Sequence, residues 1–304
     1  MALKDLLKNQ DPDNYEIEIT EELLLQHLDE FRDTIAYWRV YPDRFVDYLC
    51  SLNPDNTFHF FFFQRLTLRA IMRHKYSYAV FCRAYSKSFL SVMSLMIKAI
   101  LYPGAHLFTV AEGKEQSASI LSDKISEICK LIPAFSKEVI WDTRGMGTVR
   151  TRQTKDSVIY TFKNGSTIEN VACSDKTRGR RFQAGLMEEA ATLDQDMLQQ
   201  VIIPTLNVSR RLPDGSVDEN EILNQAQTFV TSAGYKNTYA YDRLIQMLCQ
   251  MVARPDQAFV FGGDWRIPVA EKLISGSFVS DLKLEGGRRT RPKNSFRFSA
   301  GFIY

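Results

Sequence analysis

The sequence predicts an α/β fold with a mainly parallel sheet covered by helices on both faces. Short apolar runs bounded by turn residues alternate with stretches whose apolar residues recur at helical spacing. Parallel strands buried on both faces read as near-continuous apolar runs, and several segments here have that character. One strand-to-helix junction, Cys82-Arg83-Ala84-Tyr85-Ser86-Lys87-Ser88, also has a composition suited to holding phosphate.

Residues 1–57 read as a helical, peripheral region. Thr20-Glu21-Glu22 caps a helix bearing Leu23, Leu24, Leu25 and Leu28, and a second segment carries Trp38, Tyr41 and Phe45. Phe58 to Tyr76 is expected to be a helix with basic residues on one face. A buried strand follows at 77–82. The helix from Lys87 places Phe89, Val92, Met93, Met96, Ile97, Ile100 and Leu101 at helical intervals. Ala105 to Ala111 is a strand and Gly113 to Leu131 a helix. Asp156 to Phe162 and Ser166 to Ala172 pair as a hairpin across Asn164-Gly165. Phe182 to Met187 is a strand, Asp194 to Leu206 a helix, and Leu206 to Asn220 an exposed loop. Gln227 to Ser232 is a strand, Thr238 to Met251 a helix, and Ala258 to Gly262 a last strand. The organisation expected is a helical region at 1–57, a core at 58–263, and a small lid or linker at 264–304.

Composition excludes several classes. The 304 residues are 45% hydrophobic and 24% charged, with a formal net charge of +2, as in an ordinary soluble globular protein. That balance argues neither for nor against nucleic acid. Five scattered cysteines without a Cys-x-x-Cys pair, and four histidines away from zinc-ligand spacing, speak against a structural metal and for a reducing cytosol. The N-terminus lacks a signal-peptide layout. The apolar run Phe58 to Phe63 is far shorter than the roughly 20 residues a membrane helix needs.

Chemistry gathers at strand ends. A strand, a tight loop and a helix opening with Lys87-Ser88 is the layout of a phosphate-binding loop: unpaired N–H groups at the helix N-terminus attract anions, Lys87 adds a charge, and the Ser88 hydroxyl suits Mg2+. The usual glycines are absent. The strand 182–187 runs into Glu188-Glu189, and two acids at a buried strand end are costly unless a cation or proton transfer uses them. In phosphate-loop ATPases the first such acid serves Mg2+ and the second polarises the attacking water. Two ordinary surface glutamates fit the spelling equally well. Thr231-Ser232-Ala233 ends a third strand with hydroxyls suited to sensing a phosphate, or simply turns the chain. Gln64, ahead of the loop, can bring an amide to an adenine edge; most such glutamines are surface residues. Arg178, ten positions before Glu188, can stabilise charge on a transferring phosphoryl group, in cis or from a neighbouring subunit. Arg180 and Arg181 read as surface or DNA-backbone contacts. Basic residues also cluster at Arg144 to Lys155, Lys176 to Arg181 and Arg288 to Lys293, each of which fits a solvated face.

The order of these signals (Gln64, loop lysine, paired acids, Thr-Ser) resembles the ATPase domain of phage large terminase subunits, a P-loop NTPase that drives DNA into procapsids. The likeness covers roughly Phe58 to Gly263 and includes Thr109 to Ala118 after the loop and Arg178-Gly179 upstream of Gly185-Leu186-Met187-Glu188-Glu189. The resemblance implies ATP and Mg2+ as ligands. It assigns Arg83, Ala84, Tyr85, Ser86, Lys87 and Ser88 to the nucleotide, with Gln64 at the base, Lys87 on the β/γ-phosphates and Arg83 on phosphate. Ser88 and Glu188 serve Mg2+, Glu189 is the catalytic carboxylate, Arg178 a finger acting on the adjacent subunit, and Thr231, Ser232 and Ala233 the coupling motif. It implies double-stranded DNA, a homo-oligomeric ring on the portal and a small terminase subunit as partners, no membrane, and the infected host's cytoplasm as location. Glu188 stands where the family usually has Asp. The family's nuclease domain has no acidic cluster here to represent it, so DNA cleavage is not expected. The rival readings are a non-catalytic nucleotide- or DNA-binding module, and a helicase, whose second ATPase-like domain would not fit in the ~40 residues after Gly263.

Overall fold

A computed structural model describes residues 25–82, 84–141, 151–212, 214–232, 234–236, 238–287 and 297–298. Arg83, Ala233, the capping residues Thr20 to Glu22, the first part of the Arg144 to Lys155 cluster and the whole of Arg288 to Lys293 lie outside the described residues.

In chain order the described elements are α1 (Leu28–Val40), α2 (Pro42–Ser51), α3 (Phe62–Arg73), β1 (Tyr76–Phe81), α4 (Lys87–Leu101), β2 (His106–Ala111), α5 (Lys114–Leu131), α6 (Pro133–Glu138), β3 (Arg152–Gln153), β4 (Val158–Thr161), β5 (Thr167–Ala172), β6 (Ala184–Glu188), α7 (Gln195–Met197), β7 (Ala226–Thr231), β8 (Gly234–Tyr235), α8 (Tyr239–Ala253), β9 (Ala258–Gly263), α9 (Arg266–Ala270), α10 (Gly276–Gly287) and β10 (Arg297–Phe298). Eight strands form one sheet in the order β3-β4-β5-β2-β6-β7-β1-β9. From β5 to β9 every neighbouring pair is parallel, and only β3–β4 and β4–β5 are antiparallel. The mainly parallel, helix-covered sheet expected from the sequence is what forms.

The parallel register decides where chemistry can collect. β6, β7 and β1 lie side by side, so their C-terminal ends, at Glu188, Thr231 and Phe81, share one rim. Loops leaving such a rim are where open α/β sheets bind ligands. Helix α4 starts at that rim and is buried along nearly its whole length, from Phe89 to Leu101. A helix covered on nearly every side belongs inside a core. One face of the sheet buries α4 and α5 together with Phe45, Val46 and Leu49 of α2. The other buries Leu198, Ile202 and Leu206 with Ala240 and Met247 of α8.

The far end of α4 is fixed by side chains from distant segments. Arg39 donates to the Leu101 carbonyl through Nε at 3.1 Å and Nη2 at 2.7 Å, and Asn164 Nδ2 donates to the Ala99 and Ile100 carbonyls at 2.8 and 3.1 Å. These bonds satisfy carbonyls that a helix end otherwise leaves open. Asn164-Gly165 thus does two jobs, since Gly165 also turns the hairpin with φ +82°. The peripheral helices are pinned by charge. Asp43, fully buried, takes both Nε and Nη2 of Arg69 at 2.7 and 2.8 Å, and Nη1 of Arg65 at 3.1 Å. Burial alone would raise the Asp43 carboxyl, but the hydrogen bonds and charges of Arg69 and Arg65 hold it below its ordinary value.

Two elements differ from expectation. The helix foreseen from Phe58 begins at Phe62, because the Gln64 side chain accepts the Phe61 N–H at 3.0 Å and caps the helix there. The helix foreseen over 194–206 is regular only in α7, where the Asp194 carboxylate accepts the Met197 N–H at 2.8 Å. It then loosens into a π-helical turn, Leu198–Ile202, and tightens into a 3-10 turn, Ile203–Leu206. Pro204 has no N–H to continue the α-helical ladder. Among the described residues no helix is long and apolar enough to cross a membrane.

Strand β6 is seated by a close approach. A Cβ on Gly185 would lie 2.3 Å from the ring of Phe108, its register partner on β2. Gly185→Ala is therefore expected to cost about 1–3 kcal/mol by overpacking, measured by chemical denaturation. An unchanged midpoint would show that Phe108 yields freely.

Candidate active site

The loop between β1 and α4 turns without glycine, and its backbone shows the consequence. Ala84 and Ser86 adopt left-handed φ of +62° and +57°. For residues with a Cβ this costs roughly 1–2 kcal/mol each. Tyr85, between them, keeps the turn in place. Its ring is buried, stacks on Phe81 at 4.3 Å between centroids and meets Phe63 at 4.5 Å. Room for that ring comes from Gly263 at the end of β9, where a Cβ would stand 2.3 Å from it. The Gly263 carbonyl also accepts the Cys82 N–H at 3.2 Å. An anchored aromatic thus enforces a strained turn, and strain of this kind persists only where surrounding structure over-determines it.

The turn delivers Lys87 to the rim as the first residue of α4. Its Nζ lies 2.9 Å from Glu189 Oε1 and donates to Ser232 Oγ at 2.7 Å. One ammonium therefore joins the loop, the end of β6 and the end of β7. Glu189 has left-handed φ of +47°, so three of the five non-glycine residues with positive φ among the described residues lie at this rim. The Glu189 backbone is held by Thr192, whose N–H and hydroxyl both donate to the Glu189 carbonyl at 2.8 and 2.9 Å. Thr231 Oγ1 accepts the Ala191 N–H at 3.3 Å, tying β7 to the loop after the acids.

Glu188 differs from its neighbour. It is 1% exposed, and its side chain turns toward α4. Ser91 Oγ donates to its Oε1 at 2.7 Å, and Ser88 Oγ approaches Oε2 at 3.4 Å. Burial pushes the Glu188 carboxyl up to about 7; the hydrogen bond from Ser91 opposes this, the charge of Glu189 adds to it, and the charge of Lys87 opposes it again. Adjacent carboxylate and hydroxyl oxygens are the donors a hard cation such as Mg2+ takes. Among the described residues no cluster of three His, Cys, Asp or Glu side chains forms a ready metal cage.

Gln64 is 6% exposed, and its amide is engaged within the chain. Oε1 caps α3 through the Phe61 N–H, and Nε2 donates to Ser86 Oγ at 3.3 Å. It therefore acts as a strut between α3 and the loop. It also lines a cleft of 480 Å3 walled by Asn56, Phe58, Phe61, Lys130 and Leu131.

The structure thus brings together Lys87, Ser88, Glu188, Glu189 and Ser232, with Gln64 and Ser86 beside them. It does not bring Arg178 to this cluster. Arg178 follows a 3-10 turn after β5, is 57% exposed, and donates to Asp175 Oδ1 at 2.6 Å. β5 is separated from β6 by β2. Arg180, nearby, pairs with Glu169 of β5. Sequence reading overlooked Ser91, Thr192 and Gly263. A serine one turn after Lys87, on the same face of the helix, was the available signal for the first.

Neither a family model nor a curated protein matches the chain. Solved structures do. The HK97 bacteriophage large terminase superposes with a TM-score of 0.56 at 11% identity, covering 83% of this chain and 51% of that one. A variant of the Thermus phage P74-26 large terminase ATPase domain matches at TM-score 0.48 and 15% identity, over 80% of this chain and 95% of that one. The large terminase of a thermophilic bacteriophage in complex with ADP matches at 0.45 and 10%, over 74% and 50%. The HK97 likeness fixes the fold: this chain shares it with about half the length of that protein.

The loop strain gives a direct test. Ala84→Gly removes the left-handed penalty while deleting one methyl group, and is expected to raise stability by about 0.5–1 kcal/mol after the entropic cost of glycine. Thermal and urea unfolding report it; a loss of stability would mean that the turn is not strained at that residue.

Proposed function

We propose that this chain is the ATPase domain of a phage large terminase, hydrolysing ATP to ADP and phosphate to drive double-stranded DNA into a procapsid. The observation that carries this reading is the meeting of the Lys87 ammonium with Glu189 and Ser232 at the N-terminus of α4, with Glu188 and Ser88 beside them. The shared fold with the HK97 large terminase supports it.

In this reading the triphosphate sits over the N-terminus of α4, where backbone N–H groups and Lys87 bind its β/γ end. Arg83, Ala84, Tyr85, Ser86 and Ser88 complete the nucleotide loop. The base enters the cleft beside Gln64, between Phe58 and Phe61, whose rings offer it apolar surface. Ser88 and Glu188 hold Mg2+, which supplies charge neutralisation on the phosphates. Glu189 orients the attacking water and accepts its proton. To do so it must give up Lys87, and the incoming phosphates compete for that same ammonium. Ser232, on the other side of Lys87, senses the exchange, and Thr231 to Ala233 pass it along β7 as the coupling segment.

In this reading Arg178, beyond β2, serves a neighbouring subunit's nucleotide in a homo-oligomeric ring on the portal. The motor grips DNA through backbone phosphates without sequence preference, works with a small terminase subunit, and acts in the cytoplasm of the infected host. The core of this activity spans 58–263, with 1–57 as a helical region and 264–304 as lid or linker.

Glu189→Gln is expected to keep ATP binding while cutting turnover about a hundredfold to ten-thousandfold, the usual worth of a positioned base. Lys87→Ala is expected to remove both. Phosphate release and equilibrium binding of a fluorescent ATP analogue, with double-stranded DNA present, separate the two effects. Turnover that survives in Glu189→Gln would remove that residue from the mechanism. A wild-type chain that binds nucleotide and never hydrolyses it would leave the non-catalytic module as the reading.

A further inference from the structure

We propose that Ser91 is a positioning residue that aims Glu188 at the cation. The inference rests on the nucleotide reading above and goes beyond it, since it concerns a residue outside the loop and the paired acids.

Ser91 sits four residues after Lys87 and three after Ser88, on the same face of α4. Its neighbours along the helix, Phe89, Leu90, Val92 and Met93, are buried apolar residues, and Ser91 itself is 1% exposed. A buried serine in a helix commonly turns its hydroxyl back to the carbonyl four residues earlier. Ser91 has that contact, with Oγ 2.6 Å from the Lys87 carbonyl, and a second one, 2.7 Å from Glu188 Oε1. A hydroxyl has one proton to give, and the Lys87 carbonyl lies within the first turn of α4, where the helical ladder serves it. The proton therefore belongs to the carboxylate, whose burial makes an unmatched oxygen expensive.

Glutamate needs this help more than a shorter acid does. It has one more rotatable bond than aspartate, and Glu188 lies at the end of β6 with α4 packed against it. Of its two oxygens, Oε1 is held by Ser91, while among the described residues Oε2 has the 3.4 Å approach of Ser88 Oγ alone. Ser91 thereby leaves Oε2 facing Ser88, the other oxygen assigned to the cation. Without the hydroxyl, both oxygens compete for the same space and the two-oxygen site loses its fixed geometry. Partners that orient a metal ligand in this way are typically worth about ten- to a hundredfold in metal affinity.

Binding of a fluorescent ATP analogue to the full chain, titrated with Mg2+ and repeated in EDTA, tests this. In Ser91→Ala the Mg2+ concentration for half-maximal binding should rise about ten- to a hundredfold, with affinity in EDTA unchanged. Ser91→Thr, which keeps the hydroxyl, should restore the wild-type requirement. Ser91→Cys preserves the volume with a much weaker donor, so it should shift the requirement as alanine does even if the alanine variant fails to fold. An unshifted Mg2+ requirement in either the alanine or the cysteine variant overturns the proposal, as does an equal loss with and without Mg2+. A wild-type chain with no Mg2+-dependent binding overturns the nucleotide reading itself, and is told apart because it needs no substitution.

Discussion

Three segments far apart in sequence meet on one ammonium. Lys87 leaves the first turn of α4 and reaches both Glu189, past the end of β6, and Ser232, past the end of β7. Its side chain is 14% exposed, and that of Glu189 30%. A pair this sheltered gains more from its charges than a surface pair and costs more to leave unmatched. The contact exists only because β6, β7 and β1 are adjacent and parallel, so that their ends share a rim. Any reordering of those strands would part the three groups.

The rest of the molecule holds that rim still. Helix α4 is enclosed by apolar side chains from Phe89 onward, and its far carbonyls are met by Arg39 and Asn164. Tyr85 locks the loop from below against Phe81, Phe63 and Gly263. Against this rigid support the rim carries backbone strain, in Ala84, Ser86 and Glu189. A fixed scaffold under a strained edge is the arrangement expected where groups must be presented in one geometry before a ligand arrives. The two acids are treated oppositely: Glu188 is buried and bonded to serines of α4, whereas Glu189 is partly open and faces the lysine. Neighbouring carboxylates given different surroundings are suited to different tasks.

Much of this was legible in the chain. The strand-to-helix junction at Cys82 to Ser88 announced itself because a buried strand cannot pass straight into an apolar helix without a turn, and the turn carried a lysine and two hydroxyls. Glu188-Glu189 stood out because paired acids rarely end an apolar strand without a use. Asn164-Gly165 gave the hairpin. What pattern could not reach were contacts made across the fold. Phe58 to Phe61 looked helical because a run of aromatics has no period to betray it, and only the Gln64 cap sets the true start. Ser91 gave only its spacing from Lys87 as a signal, since a serine in a buried helix usually bonds its own backbone, as Ser94 does. The need for Gly263 depends on where the Tyr85 ring falls. Arg178 pairs with Asp175 and stays apart from the cluster.

In the proposed function the triphosphate takes the place of Glu189 beside Lys87. A crystal structure of this chain soaked with a non-hydrolysable ATP analogue and Mg2+ tests it most directly. The expected result is phosphate oxygens in hydrogen-bond contact with Lys87 Nζ over the N-terminus of α4, the ion beside Ser88 and Glu188, and Glu189 released from the lysine. Nucleotide bound elsewhere, with the Lys87–Glu189 pair intact, would contradict it.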